Sequence, residues 1–175
     1  DFVVGAPFFQ SSQPREGTAL VFFGGSLSGS LGPTDADVQI LGGQENAWLG
    51  VGVGTAGNVD GGTNGQDDLL VGAGLFDNGE TNEGAAFLYT GETLGALTII
   101  KAGDGTAGGI LEANQEEAQL GTVTSTGDVN GDGFSDVIVG APWYSDAAYR
   151  EGAAFLFLGS ETGLVSSGNP DNANG

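Results

Sequence analysis

Short apolar runs alternate with clusters of glycine, aspartate and asparagine along the whole chain. Strong runs begin at Phe2 (FVVGAPFF), Ala19 (ALVFF), Leu69 (LLVGAGLF), Ala85 (AAFLY), Val137 (VIVGAPWY) and Ala153 (AAFLFL). They are rich in β-branched and aromatic residues and are bounded by turn formers, the signature of strands rather than helices. Polar residues do not interrupt them, as expected for strands covered on both faces by neighbouring sheets. One stretch, Leu111–Leu120 (LEANQEEAQL), has some helical character but is short and reads as a loop with a single turn.

The pattern repeats. DFVVGAPFF from Asp1, DLLVGAGLF from Asp68 and DVIVGAPWY from Asp136 are spaced by 67 and then 68 residues. Each is followed by a second motif: EGTALVFFG from Glu16, EGAAFLYTG from Glu83 and EGAAFLFLG from Glu151. A third motif, LGVGVGTAGNVD from Leu49 and LGTVTSTGDVN from Leu120, precedes the second and third copies. Each unit therefore predicts four strands. The first covers Leu49–Thr55 or Leu120–Ser125, the second Leu69–Gly72 or Val137–Gly140, and the third Ala85–Tyr89 or Ala153–Leu158. An outer strand is expected at Ala36–Leu41 and again at Ala96–Lys101.

A four-stranded antiparallel unit repeated at this spacing predicts an all-β chain built of β-propeller blades. The expected division is a partial first blade over 1–35, the first blade's outer strand with a full second blade over 36–101, a third blade over 102–165, and a tail or the start of an outer strand over 166–175. That makes about two and a half blades, fewer than the roughly four to eight that close a propeller. Either a longer propeller or an assembly with sister subunits would supply the missing blades, and the longer propeller is the preferred expectation.

The combination LG, GDVNGDGFSDVIVGAP and EGAAFLFLG resembles the FG-GAP repeat of integrin α-subunits and of many bacterial secreted and surface proteins. Leu49-Gly50 and Leu120-Gly121 stand where that family has Phe-Gly. The GAP triplet is intact at Gly5–Pro7 and Gly140–Pro142 and reads GAG at Gly72–Gly74. The resemblance covers nearly the whole chain and implies a propeller whose loops bind calcium and whose opposite face docks ligands.

Composition narrows the chemistry. The 175 residues carry 3 Lys+Arg against 23 Asp+Glu, a formal charge of −20. Such a surface repels nucleic acid and anionic lipid, attracts cations, and does not favour membrane insertion. Cysteine, methionine and histidine are absent, which removes thiol chemistry, imidazole bases and the usual zinc ligands. No serine–histidine–aspartate set, phosphate-binding lysine loop or dinucleotide fingerprint occurs.

The densest acidic segment, Asp128–Asp136 (DVNGDGFSD), places Asp128, Asn130, Asp132 and Asp136 at loop positions 1, 3, 5 and 9, with the Phe134 carbonyl at position 7. Alternate oxygen donors in a glycine-rich loop suit a hard cation with loose geometry, Ca²⁺ before Mg²⁺. An EF-hand is excluded, because position 12 is Val139 and the flanking elements are strands. The second unit offers a weaker version in Asn58, Asp60, Asn64 and Asp68, with two amides among its donors and Asp67 as a substitute contact. In the first unit only Asp1 keeps the terminal position.

Two further sets recur. Phe8-Phe9, Leu75-Phe76 and Trp143-Tyr144 open the loop after each second strand. Phe8, Phe9, Trp143 and Tyr144 are candidates for a face that binds a protein or carbohydrate ligand, with packing between blades as the competing explanation. Glu16, Glu83 and Glu151, each before glycine, are expected to shape turns rather than to catalyse. The functional expectation is a calcium-binding, non-catalytic propeller segment of a secreted or cell-surface protein acting in adhesion, recognition or assembly. The alternatives are the propeller portion of a secreted polysaccharide- or lipid-active enzyme, or a structural subunit of an extracellular filament.

Overall fold

The computed structural model describes residues 1–25, 28–62, 66–164, 167–168, 170–171 and 173. In chain order the elements are β1 (Phe2–Ala6), β2 (Thr18–Phe22), β3 (Val38–Leu41), β4 (Leu49–Gly57), β5 (Asp68–Ala73), β6 (Ala85–Tyr89), helix α1 (Gly91–Ala96), β7 (Ile99–Lys101), β8 (Gly109–Glu112), β9 (Thr122–Gly127), β10 (Asp136–Ala141), β11 (Ala153–Phe157) and β12 (Ser167–Gly168). A single 3-10 turn at Pro33–Asp35 precedes β3. No helix among the described residues is long and apolar enough to cross a membrane.

Among the described residues three sheets form, with orders β1-β2-β3-β7, β4-β5-β6-β8-β12 and β9-β10-β11. Within each, the successive strands of a repeat pair antiparallel, for example Val4 opposite Leu20, Leu70 opposite Leu88 and Ile138 opposite Leu156. These are blades, and the chain is all-β: a partial β-propeller. The second blade shows why its strands read as unbroken apolar runs. Leu69, Val71, Ala73, Ala85, Phe87 and Tyr89 face the first blade, in one core with Val21, Val38 and Ile40. Leu70, Ala86 and Leu88 point the other way, into a second core with Val137, Val139 and Phe157. A period of two with both faces covered leaves no position for a polar residue.

The outer strands differ from the sequence expectation. Ala36–Leu41 does supply an outer strand, as β3 pairs antiparallel with β2. The segment Ala96–Lys101 does not do so for the second blade. Its strand β7 instead runs parallel to β3 and extends the first blade. The second blade's outer strand is β8, paired antiparallel with β6. In the same way β12, in the tail, runs parallel to β8. Two connecting segments thus pair with the outer strand of the preceding blade, β7 with β3 and β12 with β8, a long-range pairing that local propensity does not encode. Helix α1 was also unforeseen; it is a single short turn started by Thr90, whose hydroxyl accepts the Thr93 amide at 3.3 Å. Leu111–Leu120 is not helical: Leu111 and Glu112 end β8, and the rest turns back with Asn114, Glu117 and Gln119 at φ 49, 62 and 57.

Neighbouring blades meet backbone to backbone. A Cβ on Gly5 would overlap the Gly50 carbonyl oxygen, and one on Gly72 the Gly121 carbonyl oxygen. Gly17 and Gly84 form parallel bridges with Leu49 and Leu120 of the next blade. The Leu49 amide donates to the Glu16 carbonyl at 3.1 Å, and the Leu120 amide to the Glu83 carbonyl at 2.8 Å. The Leu-Gly, Gly-Ala and Glu-Gly motifs are therefore the two sides of one joint.

Two substitutions test this packing. Gly72→Ala places a methyl group on backbone that has no rotamer to relieve it, and should cost about 2–3 kcal/mol by urea denaturation. Tyr89, buried between the first and second blades, has a hydroxyl with no partner among the described residues, and burial together with nearby Asp104 raises its pKa well above the ordinary range. Its counterparts one repeat away are Phe22 and Phe157. Tyr89→Phe should therefore stabilise the protein by about 1 kcal/mol, the penalty removed with an unsatisfied buried hydroxyl.

Candidate functional site

The acidic loop Asp128–Asp136 joins β9 to β10 at one end of the third blade. Glycine permits its tight course, with Gly131 and Gly133 at φ 80 and 95. The carboxylates organise the loop through its own amides. Asp128 Oδ1 accepts from Gly131 at 2.6 Å and from Asp132 at 3.0 Å, and Oδ2 accepts from Gly133 at 2.9 Å. Asn130 Oδ1 accepts the Asp132 amide at 3.0 Å, and Asp132 Oδ1 the Phe134 amide at 2.9 Å. The Asn130 side-chain amide donates to Asp132 Oδ2 at 2.8 Å. Asp128, Asn130 and Asp132 are exposed.

Asp136 plays a different part. It is fully buried, and its two oxygens accept the Val129 amide at 2.7 Å and the Gly159 amide at 2.9 Å. It latches the loop to the end of β11. Asp68 is placed identically, accepting from Val59 and Gly91 at 3.0 Å each. Asp1 likewise accepts from Gly24. Burial pushes the Asp68 carboxyl up; the two amides oppose this, the charges of Asp60 and Asp67 add to it, and the net shift is upward.

A hard cation fits the chemistry of the third loop, since every donor is an oxygen and two exposed carboxylates stand close in sequence. Among the described residues no three carboxylates are gathered into a metal cluster. The Asn130 amide oxygen and the Phe134 carbonyl would therefore have to contribute. The second loop is closed otherwise. Asn58 holds both ends of Gly62, its Oδ1 accepting the amide at 3.0 Å and its Nδ2 donating to the carbonyl at 3.2 Å. Asp60 Oδ1 accepts the same Gly62 amide at 2.8 Å. An aspartate in place of Asn58 would lack the donor for that grip. Asn64 lies outside the described residues.

The loops between second and third strands lie at the opposite end of each blade. Glu16 and Glu83 are fully buried there. Glu16 Oε1 accepts from Ser11, Ser12 and Gln13 at 2.9, 2.7 and 3.2 Å, while Oε2 accepts from Gly43 at 3.2 Å. Glu83 repeats this with Asn78, Glu80 and Asn114 at 2.9, 3.0 and 3.1 Å. Glu151 accepts from Asp146 and Ala147 at 3.1 and 2.8 Å but stays exposed. These glutamates are loop organisers, as their place before glycine suggested.

The aromatic pairs divide by position. The second member turns inward: Phe76 packs edge-on against Phe87 and Tyr144 against Phe155, both at 5.1 Å, and Phe9 is half-buried. The first member faces out, with Phe8 65% and Trp143 43% exposed, and Phe8 meets Trp48 of the next blade edge-on at 5.4 Å. Sequence reading missed Tyr149, which is 82% exposed. The Arg150 guanidinium sits 5.2 Å from both the Trp143 and the Tyr149 rings. The adjacent Tyr149-Arg150 dipeptide, one of few cationic positions in the chain, was the available signal.

Residues 120–157 match the FG-GAP repeat. The chain is 37% identical over 105 residues to phosphatidylinositol-glycan-specific phospholipase D of Bos taurus, covering 59% of this chain and 12% of that protein. It is 34% identical over 108 residues to integrin alpha-5 of Xenopus laevis, covering 59% and 10%. With integrin alpha-PS2 of Drosophila melanogaster it shares 32% over 135 residues, covering 73% and 9%. The chain belongs to the FG-GAP repeat, integrin α-like family. It spans about a tenth of the length of these curated relatives.

The buried glutamates give a graded expectation. Glu83→Gln turns an amide group against backbone donors and should cost about 1–3 kcal/mol, whereas Glu151→Gln, in the exposed copy, should change stability little. For Glu16, burial acts to raise the pKa, but the four backbone amides outweigh it and hold the carboxyl below its ordinary 4.5. Its stabilising contribution is then complete above that value and lost as pH falls through the lower folded value. Acid titration should show Glu16→Gln with a shallower stability loss below pH 4.5 than the unsubstituted protein.

Proposed function

We propose that this chain is a calcium-binding, non-catalytic segment of the β-propeller of a secreted or cell-surface protein, acting in adhesion, recognition or assembly. The observation that carries the reading is the loop Asp128–Asp136, in which Asp128, Asn130 and Asp132 are exposed and already pinned by the loop's own amides. The ion would be held by Asp128, Asn130, Asp132 and the Phe134 carbonyl, with Asp136 as the buried latch. It would offset the repulsion between neighbouring carboxylates in a chain of formal charge −20. Asn58, Asp60 and Asp68 form the weaker second position, with Asn64 as a further donor. A protein or carbohydrate ligand would dock at the opposite end of the blades, on Phe8, Trp143 and Tyr149, while Phe9 and Tyr144 support that face from within. Similarity to integrin alpha chains supports a propeller segment of this kind.

The second reading, a propeller portion of a lipid-active enzyme, rests on the similarity to phosphatidylinositol-glycan-specific phospholipase D. On that reading the chain would again serve as scaffold or recognition module, since the buried carboxylates of Glu16, Asp68, Glu83 and Asp136 are occupied by backbone amides and it has no histidine or cysteine.

Calorimetry with calcium and with chelator tests the first reading. At calcium ten times its Kd the native state gains about 1.4 kcal/mol, a rise of about 3–5 °C in melting temperature for a chain this size. Asp132→Ala should abolish most of that rise while leaving the melting temperature in chelator nearly unchanged. Equal melting with and without calcium would exclude the metal reading. Binding of a phosphatidylinositol glycan by the isolated chain, with no hydrolysis, would favour the second reading.

A further inference from the structure

An asparagine followed by glycine is open to a reaction of its own. Glycine has no Cβ to hinder its backbone nitrogen from approaching the asparagine side-chain carbonyl carbon. Four such pairs occur: Asn64-Gly65, Asn78-Gly79, Asn130-Gly131 and Asn174-Gly175. The first and last lie outside the described residues. The other two stand in exposed loops, Asn130 between β9 and β10 and Asn78 between β5 and β6.

The state of the attacking nitrogen separates them. The Gly131 amide donates to Asp128 Oδ1 at 2.6 Å. Both ends of the Asn130 side chain are also held, its Oδ1 by the Asp132 amide at 3.0 Å and its Nδ2 by Asp132 Oδ2 at 2.8 Å. The Gly79 amide, by contrast, has no acceptor among the described residues. The repeats show that this is a departure. Counted from the glutamate of each loop, its counterparts are Ser12 and Ala147, whose amides donate to Glu16 and Glu151 Oε1 at 2.7 and 2.8 Å. Glu83 Oε1 takes the amides on either side, Asn78 at 2.9 Å and Glu80 at 3.0 Å, and passes over Gly79. Gly79 has turned to φ 147, a conformation that glycine adopts without penalty. The amide released from the glutamate is thus the one that follows an asparagine.

We propose that Asn78-Gly79 is a site of spontaneous deamidation, while Asn130-Gly131 is protected by its loop. The Gly79 amide loses its proton to solvent, and its nitrogen bonds to Asn78 Cγ. The Cγ–Nδ2 bond breaks, and the nitrogen takes a proton from solvent and leaves as ammonia. Water then opens the cyclic imide at either carbonyl, giving aspartate or isoaspartate, with no oxidant or enzyme required. Both loops are acidic, so local charge does not choose between them. In the folded chain Asn78 Nδ2 donates to Glu112 Oε2 at the end of β8. The product sets a carboxylate against Glu112 in place of that donor, and like charges repel. The isoaspartate form also adds a carbon to the backbone between the two amides that hold Glu83. The loop would therefore loosen as the protein ages.

The test incubates the folded protein in chelator in mildly alkaline, heavy-oxygen water and follows the label by peptide mass spectrometry. Residue 78 should take up label several-fold faster than residue 130, and the two rates should converge in urea. Hydrogen exchange at the Glu80 and Asn114 amides, both bonded to Glu83, should be faster in the aged protein than in the fresh one. Equal labelling of 78 and 130 in the folded chain would overturn the proposal. So would a preference for 78 that persists unchanged in urea, because neighbouring sequence rather than the released amide would then be its cause.

Discussion

The contact on which the rest of this molecule depends has no side chain in it. Gly5 against Gly50, and Gly72 against Gly121, bring the backbones of adjacent blades together with no room for a Cβ. Such an approach fixes the distance and angle between sheets more tightly than interdigitating side chains can, since a backbone has no rotamers to adjust. Around it, Gly17 and Gly84 bridge to the leucine that opens the next blade. The amide of that leucine then bonds the carbonyl of the glutamate that organises the preceding loop. One joint thus positions the inner strand, the loop at one end of the blade and, through the strand, the acidic loop at the other.

Carboxylates serve this scaffold in two ways. Asp68, Asp136, Glu16 and Glu83 are buried and hold loop amides, so their charge is spent on structure. Asp128 and Asp132 are exposed; they accept the third loop's own amides, and on the proposed reading their outward oxygens would also hold the cation. At the start of the second loop Asn58 instead gives and accepts hydrogen bonds with Gly62. The latch aspartate therefore recurs, as Asp68 and Asp136, while the residues ahead of it vary.

Much of this was legible in the sequence because it is written in repeats. The apolar runs located β5, β6, β10 and β11, and the glutamates before glycine announced turns. The outer strands were legible only in part. Ala96–Lys101 has the composition of a strand, but which sheet it joins depends on β3, far away in sequence. GILE at Gly109–Glu112 was not among the expected strands, yet it pairs with β6 because that edge is open beside it. Asp136 was read as one oxygen donor among several; its burial, which makes it a latch, follows from Gly159, which no local pattern connects to it. Phe9, Phe76 and Tyr144 could not be told from Phe8 and Trp143 by residue type, since facing in or out is decided by the turn.

The central proposal is that rigid glycine joints carry an acidic loop whose exposed oxygens would accept calcium. Amide hydrogen exchange, measured residue by residue with calcium and with chelator, tests it most directly. The account predicts slower exchange on adding calcium at Gly131, Asp132, Gly133 and Phe134, with Leu49 and Leu120 at the joints strongly protected in both conditions. Unchanged exchange in that loop, or rapid exchange at Leu49 and Leu120, would contradict it.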